Sequence, residues 1–238
     1  MKTRTFALGF ALLTVSGCAI ASPAAPTASG TESTPPPVVT ATPTPEPGGT
    51  GVSCDYRPFG APARTVDPPP STEVPNAGSV TYTLSMSAGD VVVTLDRSTA
   101  PCTVNSFEAL AKQGYFDKTD CHRVTDSGGL FVLQCGDPTG TGSGGPGYQF
   151  DDELSEVTAY PAGTLAMANA GPDTNGSQFF IVYADSELPP AYTVFGHTDQ
   201  SGVQVVTGIA AGGHDQSFGT AGGGKPLQPA RINAVVAG

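Results

Sequence analysis

Tryptophan is absent from this 238-residue chain, and lysine and arginine are scarce: 10 of them stand against 21 aspartates and glutamates, for a net charge of -11. A surface that tracks a phosphate backbone needs clustered Lys and Arg, so a nucleic-acid partner is excluded. The acidity is scattered rather than blocked, which reads as solubility. Histidine is also rare. His122, His197 and His214 lie too far apart in sequence to suggest a metal site, and no C-x-x-C pair provides zinc or redox spacing, so neither metal nor cofactor is expected. The G-x-S-x-G elbow of a serine hydrolase is missing. Gly219-Thr220-Ala221-Gly222-Gly223-Gly224-Lys225 opens like a phosphate loop. Pro226 then stands where a magnesium-binding hydroxyl must follow, and no helical pattern continues, so a plain loop is expected. Long apolar runs are lacking too, apart from Phe6 to Val15, so nothing else should span a membrane.

That one run has a meaning. Lys2 and Arg4 precede it, and Ser16-Gly17-Cys18 follows it, in the order charged region, apolar region, small residues of an export signal. Val15-Ser16-Gly17-Cys18 resembles a bacterial lipoprotein box. That resemblance implies cleavage of residues 1–17 and lipidation of Cys18; an ordinary signal peptide with an incidental cysteine is the alternative. The expected location is the bacterial cell envelope, with the membrane reached through the lipid alone. Residues 18–50 are mostly Ala, Ser, Thr, Pro and Gly, too poor in buriable side chains to offset ordering entropy, and read as a disordered tether. Residues 51–76 are Pro-rich and read as an extended arm. The remaining cysteines, Cys54, Cys102, Cys121 and Cys135, would meet an oxidising compartment and allow three pairings. Cys102 with Cys121 and Cys54 with Cys135 is the favoured set, the second clasping the arm to the core. Buried free thiols are the alternative.

From residue 77 to 238 the pattern is that of one folded domain. Val80, Tyr82, Leu84 and Met86 alternate with polar residues, Ala88-Gly89-Asp90 turns, and Val91, Val93 and Leu95 alternate again, which predicts a hairpin. Val104, Phe107, Leu110 and Ala111 recur at helical spacing, with Pro101 suited to the first turn and Gly114 to the C-terminal cap. Short apolar runs follow around residues 122–124, 130–133, 164–168, 179–182 and 194–195. A second helix is predicted through Val203, Val206, Ile209 and Ala210, and a last strand through Ile232, Ala234 and Val236. Many short strands with two helices make an all-β barrel or sandwich. Within it, the loop Met167-Ala168-Asn169-Ala170-Gly171-Pro172-Asp173-Thr174-Asn175-Gly176-Ser177-Gln178 runs straight into Phe179-Phe180-Ile181. Fixed loop geometry beside amides and an apolar strand suits a groove that grips extended peptide.

This run resembles the signature of the cyclophilin family of peptidyl-prolyl isomerases. Upstream, Cys121-His122-Arg123-Val124 resembles its arginine-bearing segment, and Phe131-Val132-Leu133-Gln134 with Gly136-Asp137-Pro138 resembles the segment after it. The likeness spans residues 77 to 238. It implies a closed eight-stranded antiparallel barrel capped by two helices, and a prolyl isomerase acting on proline-containing segments; with the export signal, those segments belong to exported proteins, and a monomer is expected. It also implies roles: Arg123 as the catalytic donor; Phe131, Met167, Phe180 and Leu188 as walls of the proline pocket; Gln134, Ala168, Asn169 and Gln178 as holders of the substrate main chain; and Tyr192 at the pocket edge, where many members carry His. Two departures stand out. Extra residues in Asp126-Ser127-Gly128-Gly129 lengthen a loop beside the site, and Glu187 replaces a Trp that helps bind ciclosporin, so weak ciclosporin binding is expected. A binding module that captures proline segments without turnover is the rival reading; a two-lobed solute receptor is excluded by size.

Overall fold

The computed structural model describes residues 51–154 and 159–238. Residues 1–50, which include Cys18 and the expected signal and tether, lie outside that range. In chain order the elements are β1 (Arg57–Pro58), β2 (Ser79–Met86), β3 (Gly89–Asp96), α1 (Pro101–Lys112), β4 (Thr119–Asp120), β5 (Arg123–Val124), β6 (Val132–Cys135), β7 (Tyr148–Gln149), β8 (Thr164–Met167), β9 (Phe179–Val182), β10 (Val194–Thr198), α2 (Gln200–Ala211) and β11 (Arg231–Ala237). Alternation makes the first hairpin: Tyr82, Leu84 and Met86 of β2 and Val91, Val93 and Leu95 of β3 are all buried. Met86 pairs with Gly89, so the turn is Ser87-Ala88, slightly ahead of its expected place.

The sheet is not the expected eight-stranded closed barrel. Nine antiparallel strands follow the order β4-β11-β2-β3-β10-β8-β9-β6-β5, curled into a half-barrel, while β1 and β7 form a separate two-stranded ladder. The two edge strands, β4 and β5, are consecutive in the chain, with only Cys121 and His122 between them. The last strand also departs from simple alternation. A bulge between Ile232 and Ala234 shifts the register, so Val235 is buried and Val236 is exposed.

Both helices are capped as their sequences dictate. At α1 the residue before the helix, Ala100, offers no side-chain acceptor. The carboxylate of Glu153 takes that place, accepting from the backbone N–H of Cys102 (3.0 Å) and Thr103 (2.9 Å) and from the Thr103 hydroxyl (2.7 Å). At the other end Gly114 adopts φ +67°, the left-handed cap foreseen from its sequence position, and its N–H reaches Ala111 O at 2.9 Å. In α2, Asp199 Oδ1 accepts from Gly202 N at 3.0 Å.

The disulfides pair differently from the favoured set: Cys54 with Cys102 and Cys121 with Cys135. The cause is topological. Cys121 ends up beside Cys135 because β5, which follows Cys121, pairs antiparallel with β6, which ends at Cys135. Cys102 sits at the start of α1, where the arm arrives. The arm is clasped as foreseen, but to α1. Tyr56 donates its hydroxyl to Cys102 O at 2.8 Å, Asn105 Nδ2 donates to Tyr56 Oη at 2.9 Å, and Arg64 donates to the carbonyls of Gly114, Tyr115 and Asp117.

Two apolar clusters result. The larger lies inside the curl, around Phe107, Phe116, Leu133, Leu165, Phe179, Ile181 and Phe195. The smaller lies on the other face of β6, β8 and β9, around Val132, Ala166, Phe180 and Val182. It is this second face that builds a site.

Candidate active site

Residues directly opposed across strands share a face, so register places the site. Arg123 of β5 pairs with Gln134 of β6, Gln134 with Phe180 of β9, and Phe180 with Ala166 of β8. A guanidinium, an amide and an aromatic ring therefore lie in one row across four strands. Together with Leu130, Val132, Ala168, Asn169, Leu188 and Tyr192 they enclose a cavity of about 130 Å³. Its floor is Phe180, 5% exposed, and its rim is Tyr192, whose ring meets Phe180 edge-on at 5.6 Å between centroids. Tyr192 is held by its backbone: its N–H donates to Tyr160 Oη and its carbonyl accepts from the same hydroxyl, both at 3.0 Å.

Arg123 is positioned from three sides. Nη1 donates to Gln134 Oε1 at 3.4 Å, Nε donates to Gly222 O at 3.0 Å, and Nη2 donates to Ala221 O. The ring of Phe218 lies 5.5 Å from the guanidinium carbon, a cation–π contact. No carboxylate forms an ion pair with Arg123 among the described residues. Three bonds leave two of its five N–H donors free. Partial burial lowers its pKa, but a guanidinium stays protonated in proteins, so the cation persists.

The loop that carries Ala221 and Gly222 is the one whose sequence opens like a phosphate loop. It forms a short 3-10 turn, Gly219–Ala221, and hydrogen-bonds with β5 through Val124 N to Gly224 O (2.8 Å) and Gly224 N to Val124 O (3.0 Å). At Gly223, φ is +73° and a Cβ would collide with the Val124 carbonyl, so glycine is required for that approach.

Gln134 is fixed in turn. Its Nε2 donates to Gln178 Oε1 at 2.9 Å, and Gln178 Nε2 donates to the carbonyls of Gly142 (3.0 Å) and Gly144 (2.9 Å). That glycine loop winds around the buried carboxylate of Asp137, which accepts from the backbone N–H groups of Thr139, Thr141, Gly142 and Gly144. Burial alone would raise the Asp137 pKa, but these hydrogen bonds and the Thr139 hydroxyl outweigh it and the net shift is downward. An ionised, satisfied Asp137 thus orders the loop that orders Gln178, Gln134 and finally Arg123.

Most of the expected site residues converge, and two expected pocket walls do not. Phe131 does not line the cavity: it packs edge-on against Tyr183 at 6.0 Å, and Leu130 and Val132 form that wall. Met167 turns into the larger core because Leu165 and Met167 point opposite to Ala166 and Ala168 along the extended chain. Gln178 lies beside Gln134, in a neighbouring cavity. Ala168 cannot donate its N–H, which is bonded to Gln178 O at 3.0 Å. Asn169 keeps its backbone N–H and C=O without partners among the described residues, while its side chain donates to Ala191 O at 2.8 Å. Val132 was legible from its place two before Gln134 in a strand; Phe218 gave no sequence signal. Glu187 lies beside Gly129 in the lengthened loop, its N–H donating to Gly129 O at 2.7 Å. Among the described residues no group of three or more His, Cys, Asp and Glu side chains could hold a metal ion, and no helix is long and apolar enough to cross a membrane.

The chain is similar to known proteins. The family described as "Cyclophilin type peptidyl-prolyl cis-trans isomerase/CLD" matches residues 81–237. The "Probable peptidyl-prolyl cis-trans isomerase B" of Mycobacterium tuberculosis is 46% identical over 207 residues, covering 78% of this chain and 64% of that protein. The protein of the same description in Mycobacterium leprae is 47% identical over 177 residues, covering 68% of this chain and 60% of its own length. The chain therefore spans less than two thirds of the length of these curated relatives. A crystal structure of a cyclophilin type peptidyl-prolyl cis-trans isomerase from Cryptosporidium parvum is 33% identical, covers 68% of this chain and 98% of its own, and superposes with a TM-score of 0.58. From residues 81 to 237, therefore, this chain belongs to the cyclophilin-type peptidyl-prolyl cis-trans isomerase family.

Proposed function

We propose that the chain accelerates cis–trans isomerisation of X-Pro bonds, and that one observation carries this reading: a cationic fork with free donors beside a small cavity that has Val132, Phe180 and Leu188 among its walls. The barrier to be lowered is about 18–20 kcal/mol and comes from partial C–N double-bond character. No bond is broken, so neither nucleophile nor proton shuttle is needed. When the imide twists, the proline nitrogen regains a lone pair. A donor that meets it stabilises the twisted state more than the flat one. The proline ring would sit on Phe180 between Val132 and Leu188, the backbone groups of Asn169 would hold the flanking chain, and the free N–H groups of Arg123 would face the imide.

A charged hydrogen bond contributes about 1.5–3 kcal/mol, and each tenfold in rate needs about 1.4 kcal/mol. Arg123 then accounts for roughly ten- to a hundredfold, and exclusion of water from the charge-separated planar imide supplies the remainder. An isomerisation assay on a short Ala-Pro peptide tests this: acceleration by the wild type and its loss in Arg123→Ala support the reading. Binding without acceleration would instead favour a capture module.

The clients we propose are exported proteins, with the domain held at the bacterial membrane by a lipid on Cys18. Two disulfides in one small domain suit an oxidising compartment. Glu187, at the position of the ligand-binding Trp, supports weak ciclosporin affinity; an affinity equal to that of Trp-bearing relatives would contradict it.

A further inference from the structure

A second, larger cavity of about 400 Å³ adjoins the first and shares Gln134, Ala168 and Asn169 with it. Its outer wall comes from Phe59, Gly60 and Ala61 of the arm, which precede the family-matched residues 81–237. The wall is built in. Arg57 pairs with Gln149 and Pro58 with Tyr148, Phe59 N donates to Gly147 O at 2.9 Å, and Ala63 N donates to Gly145 O at 2.8 Å. Behind them Cys54 is bonded to Cys102. Yet Phe59 itself is 61% exposed, the one aromatic among the large exposed apolar residues described. Three residues earlier, Tyr56 packs against Tyr148 and Phe150 at 5.5 and 5.6 Å. The chain thus invests a strand pair, a disulfide and a clamp in presenting an uncovered ring at the mouth of a cavity. That cavity has no charged side chain in its lining.

Building on the isomerase reading, we propose that Phe59 determines substrate specificity. It selects X-Pro segments that carry a large uncharged side chain, aromatic above all, one or two residues from the proline on the side that crosses Ala168 and Asn169. The spacing follows from the shared wall: an extended peptide advances about 3.3 Å per residue, so a chain with proline in the first cavity delivers a nearby side chain to the second. Aromatic selection follows from the ring, which offers edge-to-face packing to another ring. Exclusion of charge follows from the lining, where an ionised side chain would lose water without gaining a counter-ion.

The experiment uses peptides with Phe, Ala or Glu at each position flanking the proline, and the wild type, Phe59→Ala and Phe59→Leu proteins. Turnover and direct binding by titration calorimetry are both measured. The wild type should favour Phe over Ala by about three- to tenfold in binding and in kcat/KM, at one side only, and disfavour Glu. Phe59→Ala should bring the Phe-to-Ala ratio near one, chiefly through KM, with Phe59→Leu in between and the thermal midpoint held. Equal binding of the three peptides, or a preference that survives Phe59→Ala, overturns the proposal. Phe59-dependent binding with no turnover of any peptide would refute the isomerase reading and leave this one standing.

Discussion

At the scale of single residues, the site is a chain of dependence that ends on Arg123, and His122 sits beside it with a different task. His122 is 1% exposed and neither ring nitrogen has a hydrogen-bond partner among the described residues. Burial lowers its pKa below the ordinary 6.5; the charge of Arg123 adds to that shift, and Asp137 opposes it. The folded state therefore binds fewer protons than the unfolded state just below pH 6.5, and stability must fall as pH drops through that window. Thermal melts from pH 7 to pH 5 should show a lower midpoint at the acid end, and His122→Gln should flatten the slope. An unchanged slope in the variant would rule out a buried neutral imidazole. The row Arg123, Gln134 and Phe180 was legible because each falls in a segment whose residue order resembles the family's. Phe131 and Met167 were misplaced because resemblance in order does not say which way a strand's alternation falls; register with β9 decides that.

At the scale of elements, what was readable was periodic and what was not was topological. The first hairpin and both helices followed from spacing and caps. The bulge in β11 and the disulfide pairing depended on which strands neighbour which, and spacing along the chain carries no such information. The pairing found has an energetic consequence. Cys54–Cys102 closes a loop of 48 residues and Cys121–Cys135 one of 14. By loop entropy the first is worth about 4 kcal/mol and the second about 3 kcal/mol. Denaturant unfolding should therefore show Cys54→Ser with Cys102→Ser to be the more destabilising double substitution, and the arm should become the first segment to lose amide protection. Greater loss from the Cys121–Cys135 pair would show that the arm adds little.

For the molecule as a whole, the described residues form a curled nine-stranded sheet with the arm pinned to α1, and the net negative charge of the chain suits no polyanion. The family model begins at residue 81, so the arm lies before it and sets one wall of the second cavity, while the segment bearing Cys18 sets the location we propose. In cells, the full chain should fractionate with membranes and Cys18→Ala should appear in the soluble exported fraction; a full chain already soluble would contradict anchoring. The central proposal stays local: the Arg123 fork would stabilise the twisted imide, while the cavity would hold the proline and keep water from it. Exchange spectroscopy on a bound Ala-Pro peptide separates the two. Arg123→Ala should slow on-protein cis–trans exchange by roughly ten- to a hundredfold while the peptide Kd changes far less. Exchange that keeps its rate, or a loss accounted for wholly by weaker binding, would contradict the account.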